Sequence, residues 1–438
     1  MPFMKIRGAD VPRALSDLQC AARLDPQRLQ DLQLSKLKEL LNFAYHNVPF
    51  YRKRFQDSHL TPADIRSLKD ITKLPVLTKE DIRNSISDLQ VRGIPARVMS
   101  TSGSSGYPLT FPKDYISLSY WDAAMYMGMA WHGIRIGDKQ ARFWGTPIHW
   151  RDRLAARFKD AVMNRIRISA FDVSDDAFYA AYARLSKVAP NYIYGYPSLV
   201  YRFCSFLEAH SLSLTGCSIR AAVLTGEILY PFQRELIQSV LQCRVVNEFG
   251  STENGVIAFE CPRGGMHIFS PNVLIEVIKD GRPADWHETG ELYITELNSR
   301  SIAFIRYRTL DMGSLTERPC DCGLQYPLFH QIYGRVDNFI VASDGSLVYD
   351  AILAYTLKKY VDQFHAVQEP DRTLVITLRP NKAFRENQLQ NLFKDLRRYL
   401  GEDTKIQVSC VDQFPLSAAG KLRYFEQRGA LPSKGPPT

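Results

Sequence analysis

The spacing of apolar residues changes character several times along this chain, and that succession constrains the fold more than any bulk property does. Residues 10 to 60 alternate apolar and charged positions at helical spacing, as in Leu29 to Phe43. A loop-rich stretch with prolines follows, from Pro62 to Pro95. The middle of the chain then alternates helical patterns with short β-rich runs. Arg220 to Thr225 reads as a strand, Tyr230 to Gln242 as a helix and Arg244 to Phe249 as a further strand. Such alternation predicts βα units around a mixed sheet. From Asn272 the pattern is mainly β, with Val273 to Lys279 and Glu291 to Leu297 as strands. After Gly334-Arg335 it changes again. Asn338 to Val341 and Leu347 to Tyr349 read as strands paired around the turn Ser343-Asp-Gly345. A helix from Ala351 to Val361, a strand from Leu374 to Arg379, a helix from Glu386 to Leu400 and a strand from Ile406 to Val411 complete the chain. The expected fold class is α/β, with a large multi-sheet N-terminal domain over residues 1–334 and a small α+β C-terminal domain over residues 335–438.

Composition narrows the class without choosing a function. Hydrophobic residues make up 45% and charged residues 23% of the 438, which excludes a disordered, collagen-like or coiled-coil chain. The most apolar window, Ala123 to Ala130, is interrupted by His132 and Arg135, well short of the roughly 18 apolar residues a membrane helix needs. The first ten residues lack an apolar signal core, so cytoplasmic residence is the expectation. Lys and Arg number 55 against 46 Asp and Glu, a net charge of +9. Such a surplus suits nucleic acid, an anionic membrane surface or a polyphosphate ligand. The basic clusters, Arg151 to Arg167 and Lys394 to Arg398, are short, and no nucleic-acid motif with interleaved aromatics accompanies them. No nucleic-acid partner is therefore expected. Of the eight cysteines, Cys20, Cys204, Cys217, Cys243 and Cys410 read as buried thiols acting as small hydrophobes.

Five segments carry groups suited to chemistry. In Ser100 to Gly106, five hydroxyl residues and two glycines make either a flexible linker or a cradle for phosphate oxygens, with the β-prone Leu109-Thr-Phe111 behind it favouring a cradle. It lacks the Gly-Lys-Ser/Thr ending of a Walker A loop. Asn247-Glu-Phe-Gly-Ser-Thr-Glu253 follows a strand end, where an aromatic can stack on a base and a carboxylate beside a hydroxyl can hold Mg²⁺. In Arg306-Tyr-Arg-Thr-Leu-Asp311 the aspartate could accept from ribose hydroxyls or pair with a neighbouring arginine. Gly334-Arg-Val-Asp-Asn338 is by itself a polar turn. In Pro415-Leu-Ser-Ala-Ala-Gly-Lys-Leu-Arg423, a lysine after glycine could enter a cleft and stabilise negative charge, or be an ordinary surface turn.

Taken together in this order, the segments resemble the core motifs of the acyl-adenylate-forming superfamily. Asn47-Val-Pro-Phe-Tyr-Arg-Lys-Arg54 and Leu74-Pro-Val-Leu-Thr-Lys79 resemble the phenylacetate-CoA ligase branch, which includes CapK-type capsule-biosynthesis proteins. The resemblance implies an AMP-forming carboxylate ligase. ATP and a carboxylic acid give an acyl-adenylate and pyrophosphate; a nucleophile, most often coenzyme A, then displaces AMP. By the same resemblance Thr101, Ser102, Gly103, Ser104, Ser105 and Gly106 hold the β- and γ-phosphates. Phe249 stacks on adenine beside Gly226 and Glu227, within a nucleotide site that also takes in Glu248, Gly250, Ser251 and Thr252. Glu253 binds Mg²⁺, Asp311 holds the ribose, and Arg335 contacts ribose or phosphate. Asp337 is the hinge of a mobile cap, and Lys421 bridges the carboxylate and the α-phosphate.

The sequence departs from the family in three places. Leu310 stands where glycine is usual before the ribose aspartate, Ser104-Ser105 where threonine is frequent, and Tyr107 where many members carry lysine. Trp144, Phe143, Tyr194, Tyr196 and Pro197 are candidate walls of the acid pocket or simply core. Cys261, His267, Cys320 and Cys322 offer three thiolates and one imidazole, the donor count of a closed tetrahedral zinc site, and some members of the branch resemble this pattern. The expected small molecules are ATP, Mg²⁺, a carboxylic acid, coenzyme A and a structural Zn²⁺. Transfer to an amine or hydroxyl of a biosynthetic intermediate is the alternative within the enzymes. A catalytically silent nucleotide-binding scaffold is the alternative outside them.

Overall fold

The computed structural model describes residues 9–101, 109–145, 150–335, 338–357, 361–381, 384–385, 389–411 and 424–429. They form two compact units, Met1–Ile136 with Asn247–Gln331, and Gly137–Val246 with Ile332–Thr438. Helices and strands are mixed along the chain, with a parallel βα part and largely antiparallel sheets elsewhere, the α/β class with an α+β C-terminal part that the apolar spacing predicts. No described helix is long and apolar enough to cross a membrane.

The first unit opens with three helices, Val11–Ala21, Pro26–Asn47 and Pro49–Asp57, each with proline in its first turn. Asp10 and Asp25 cap the first two, accepting from the backbone N–H groups of Arg13 (3.3 Å) and Arg28 (2.9 Å). The stretch Pro62 to Pro95 is more ordered than its prolines suggest. It holds two short 3₁₀ turns and the helix Lys79–Leu89, started by a reciprocal capping box between Thr78 and Asp81. A hairpin of Ala96–Ser100 and Thr110–Asp114 leads into the helix Tyr115–Trp131. The strands Val273–Lys279, Gly290–Glu296 and Tyr307–Thr316 are antiparallel neighbours, and so are Met266–Ile268, Gly255–Glu260 and Arg244–Ser251. Leu37, Leu40, Leu41 and Tyr51 pack with Phe111, Phe304 and Tyr307 to make this unit's core.

At the end of the hairpin, Lys113 is fully buried. Its Nζ lies 2.9 Å from both carboxylate oxygens of the equally buried Glu296 and 2.6 Å from the main-chain oxygen of Glu253. Ser117 also donates to Glu296. Asp114 caps the helix that follows, accepting from Ser117 N–H at 2.9 Å, and accepts from the N–H groups of Arg300 and Ser301 at 2.7 and 2.8 Å.

The second unit contains four parallel strands in the order Ala221–Thr225, Tyr192–Gly195, Gln140–Trp144, Arg165–Ser169. The helices Asp175–Val188, Pro197–Ala209 and Pro231–Leu241 bury one face of them through Ala141, Phe143, Ile168, Ile193 and Leu224. The C-terminal part has a hairpin of Phe339–Val341 and Leu347–Tyr349, paired as expected around the turn at Gly345. Beyond it lies a four-stranded sheet in the order Ile406–Cys410, Leu374–Pro380, Val361–Gln368, Phe425–Gln427, with helices Ala351–Leu357 and Leu389–Leu400. Leu392, Leu396 and Leu400 pack with Ile376, Leu378 and Phe425, and with Tyr230 and Phe232 of the preceding α/β part.

Three expectations are corrected here. Residues from Val361 begin a strand, Val361–Gln368, rather than closing the helix, and Phe425–Gln427 is a strand the sequence does not announce. The first pairs with the next strand, Leu374–Pro380, and the second gets its strand character from a partner far along the chain, Ala366 to Gln368. Cys204, Cys217 and Cys243 are buried thiols, but Cys20 and Cys410 are exposed. Cys20 lies off the buried face of its helix, which is Val11, Ala14, Leu18 and Ala21, and Cys410 ends an edge strand.

Lys113→Met strands Glu296 without its counter-charge, so it is expected to cost about 3–5 kcal/mol in urea unfolding. Adding Glu296→Leu is expected to recover most of that loss, because the double variant removes both charges of the pair.

Candidate functional site

Within the first unit, the motif residues sit where strands lose their regular pairing. Arg244–Ser251 turns tightly into Gly255–Glu260, and the register slips between Phe249 and Gly250. A Cβ on Gly250 would stand 2.5 Å from the main-chain oxygen of Gly255, so the approach of the two strands requires glycine. Ser251 Oγ accepts from Asn254 N–H at 3.0 Å and shapes the turn that contains Thr252 and Glu253. Glu253 is 7% exposed. Its Oε1 accepts from the Tyr307 hydroxyl at 2.9 Å, and its main chain is held by Lys113. Glu248 is buried, and Phe249 meets Phe329 edge-on at 5.7 Å.

Asp311 lies on the strand whose first residue is that same Tyr307. Opposite it the register shifts between Glu291 and Tyr293, which makes a bulge at Thr309 to Asp311. Thr309 Oγ1 donates to Leu292 O at 2.9 Å and accepts from Asp311 N–H at 3.1 Å. Leu310 has φ +66°, the left-handed conformation that glycine adopts freely. The leucine therefore keeps the backbone shape of a glycine at a cost in strain. The neighbouring arginines are engaged elsewhere, Arg306 by Glu276 at 2.8 Å and Arg308 by Glu291 at 2.6 Å. Thr101 closes the base of the hydroxyl-rich loop: its N–H donates to Leu109 O and its Oγ1 accepts from Leu109 N–H, both at 2.9 Å.

A second constellation in the first unit is a cluster of metal-ligand type. Donor atoms of Cys261, His267, Cys320 and Cys322 all lie within 4.8 Å of one another. Sγ of Cys261 and Cys320 are 3.6 Å apart, and His267 Nε2 is 3.1 Å from Cys322 Sγ. His267 Nδ1 donates to Tyr326 O at 3.1 Å, which leaves Nε2 directed at the thiols as a neutral donor. Burial lowers the His267 pKa, further favouring the neutral ring. A Cβ on Gly265 would stand 2.8 Å from Cys320 Sγ, so the chain is drawn in around the sulfurs. Donor set and spacing fit a closed four-coordinate zinc site.

The second unit holds the remaining described residues. Trp144 stacks on Tyr196 at 4.1 Å and on Tyr194 at 5.9 Å. Phe143, the preceding residue on the strand, points the other way into the helical core against Phe203. Pro197 begins a helix whose Ser198 N–H donates to Glu227 at 3.0 Å, a carboxylate at a helix N-terminus. Gly226 has φ +79° just before it. Arg335 ends the strand Leu328–Arg335, after Gly334 in a left-handed conformation with Ile228 where its Cβ would be. Ser102, Gly103, Ser104, Ser105, Gly106, Asp337 and Lys421 lie outside the described residues.

Sequence reasoning passed over Lys113, Glu296 and Arg142. No local pattern marks the first two, whose contact spans 183 residues. Arg142 is flagged only by the alternation of Gln140-Ala-Arg-Phe-Trp144.

Residues 340–427 match the family model of the CapK C-terminal domain. The chain is 22% identical over 405 residues to Protein CapK of Staphylococcus aureus, covering 90% of this chain and 88% of that one. It is 27% identical over 310 residues to a phenylacetate-coenzyme A ligase of Escherichia coli K12, covering 67% and 70%. Among solved structures, a 2-hydroxyisobutyryl-CoA ligase in the postadenylation state superposes with a TM-score of 0.77 at 19% identity over 93% and 91% of the two chains.

Leu310→Gly is expected to keep or raise stability, by up to about 1 kcal/mol, since glycine carries no left-handed penalty. Leu310→Val is expected to lower it by about 1–3 kcal/mol, because a β-branched residue tolerates this conformation least. Chemical denaturation of both variants measures the difference.

Proposed function

We propose that this chain, which belongs with the phenylacetate-CoA ligase-like and CapK-type branch of the acyl-adenylate-forming enzymes, activates a carboxylic acid with ATP and passes the acyl group to coenzyme A. It is a ligase of the AMP-forming kind. In the first step a carboxylate oxygen attacks the α-phosphorus, the bond to the β-phosphate breaks and pyrophosphate leaves. In the second the coenzyme A thiol, losing its proton, attacks the acyl carbon and AMP departs. Neither step needs a covalent enzyme nucleophile; both need charge to be neutralised and groups held in line.

What carries the proposal is the strand Tyr307–Thr316. Its first residue holds the Glu253 carboxylate by a hydrogen bond, and its bulge shapes the backbone of Asp311. A buried carboxylate with only one oxygen engaged among the described residues suits a hard cation. Glu253 would hold Mg²⁺, which when bound neutralises phosphate charge. Asp311 accepts from the ribose hydroxyls, Phe249 lies on the adenine, and the hydroxyls of residues 101–106 surround the phosphates. Arg335 meets ribose or phosphate. Lys421 bridges the carboxylate and the α-phosphate in the first step, and turning of the C-terminal part about Asp337 withdraws it for the second. Trp144, Tyr194, Tyr196 and Pro197 wall the acid pocket. ATP, pyrophosphate and coenzyme A are polyanions, which accounts for a net charge of +9.

The match of residues 340–427 to the CapK C-terminal model supports a second reading of the acyl acceptor, an amine or hydroxyl of a biosynthetic intermediate. Pyrophosphate release over a panel of carboxylic acids, with and without coenzyme A, separates the two. ATP- and acid-dependent pyrophosphate is expected, with thioester formed when coenzyme A is present. No release with any acid would refute the ligase. Lys421→Ala is expected to lose at least about 100-fold in adenylation while still making thioester from supplied acyl-adenylate.

The four-residue cluster would hold one structural zinc, joining the segment around Cys261 to that around Cys320. Purified protein is expected to carry one zinc per chain by elemental analysis. Cys322→Ser should lose the metal and lower the melting temperature, and well under one zinc per chain in the native protein overturns the assignment.

A further inference from the structure

The face of the second unit's parallel sheet opposite the helical core carries an unusual set of charges. Pairing aligns Arg167, Arg142 and Tyr194 across three neighbouring strands, and Trp144 follows Arg142 on the same side. Arg165 lies one step before Arg167 on that face. Three arginines are thus gathered around one carboxylate, Asp160, and the pairing is unequal. Asp160 binds Arg165 and, at 3.0 Å, Arg167; Arg167 also donates to Gly145 O at 3.0 Å. Glu227, the other nearby acid, is occupied at the helix N-terminus by Ser198 N–H.

Arg142 receives neither. Among the described residues it makes no hydrogen bond and no ion pair, and its Nε is closed off from solvent without an acceptor. Its guanidinium instead lies over the rings of Trp144 at 4.7 Å and Tyr194 at 5.1 Å. Burial, reinforced by Arg165 and Arg167, pushes its pKa below the usual arginine value, yet a guanidinium stays charged at any physiological pH. Cation–π contacts stabilise a flat cation through the ring faces and leave its in-plane N–H groups unused. Those donors form a fork that fits a carboxylate in two parallel hydrogen bonds. A shielded cation without a counter-charge destabilises the fold, and such strain is retained where a ligand relieves it.

We infer that Arg142 is the specificity-determining residue for the acid, and that the acid carries a second oxyanion, bound by Arg142, on a flat apolar frame lying against Trp144, Tyr194 and Tyr196. The inference rests on the proposed ligase activity and narrows its substrate class to dicarboxylates and equivalent dianions. The reacting carboxylate is left to Lys421 and the α-phosphate.

The test compares matched pairs, phenylacetate with 4-carboxyphenylacetate and benzoate with isophthalate, in pyrophosphate release by the full chain. Wild type is expected to favour the dicarboxylate of a pair by about tenfold or more in kcat/KM. Arg142→Met should erase that advantage while changing the monocarboxylate little, and Arg142→Lys should keep part of it. Equal use of both acids by wild type, a preference unmoved by Arg142→Met, or an equal loss for both acids overturns the inference. Melting temperature distinguishes a purely structural arginine: Arg142→Met should melt no lower than wild type, and a lower value counts against the role. Calorimetric binding of the two dicarboxylates needs no turnover. If no acid releases pyrophosphate, the ligase reading fails alone provided a dicarboxylate still binds wild type and not Arg142→Met; no such binding overturns this inference too.

Discussion

The buried ion pair between Lys113 and Glu296 is the contact on which the first unit's functional region depends. Lys113 stands just after the hydroxyl-rich loop, Glu296 ends a strand of the antiparallel sheet, and the third partner of the ammonium is the main chain of Glu253. A fully buried ammonium cannot relax toward water, so its three acceptors hold one another in place. The next residue, Asp114, repeats the device by gathering the N–H groups of Ser117, Arg300 and Ser301. Two consecutive charged residues thereby tie a hairpin, a helix and two segments of sheet into one scaffold. The same polar scaffold holds the main chain of Glu253, so removing either charge would disturb both stability and the backbone of the residue proposed to hold Mg²⁺.

Around it, the groups proposed to act on ATP share a second device. Phe249 and Gly250 lie at one break in strand register, and Thr309 to Asp311 at another. A bulge turns side chains away from the strict alternation of a strand and leaves backbone groups unpaired, and both suit ligand contact. Tyr307 links the two breaks through its hydrogen bond to Glu253. Leu310 shows how far the local shape is determined by its surroundings. It occupies the left-handed region without the residue that does so freely, held by Thr309 and Asp311 on either side. In the second unit the division of labour is between faces. Phe143 and Ile168 face the helices, while Arg142 and Arg167 carry charge on the other side and Trp144, at the strand's end, lies under Arg142 and also touches the core.

Much of this was legible in the chain because it depends on neighbours in sequence. Apolar period marks helices against strands. The prolines of residues 62–95 hid the helix beginning at Lys79, whose start is a capping box of Thr78 and Asp81. The turn at Gly345 fixes a hairpin, and two Cys-containing segments announce a metal-type donor set that the fold brings within 4.8 Å. The strand Phe425–Gln427 was not legible, since its pairing partner, Ala366 to Gln368, lies about 60 residues earlier, and Val361–Gln368 was obscured by the helical pattern before it.

By itself the sequence implied the class of chemistry through a resemblance, since its hydroxyl-rich, carboxylate and Gly-Lys motifs stand in the order of the acyl-adenylate-forming superfamily. It determined the donor types of the Cys/His cluster outright, because a residue's functional group is a local property. Only the tertiary structure decided which polar groups are paired and which are not. Lys113 and Arg142 look alike as basic residues in β-rich segments. One finds a buried carboxylate 183 positions away and becomes part of the scaffold; the other lies over two aromatic rings and, among the described residues, makes no ion pair. Pairing depends on distances between residues remote in sequence, and no spacing along the chain encodes them.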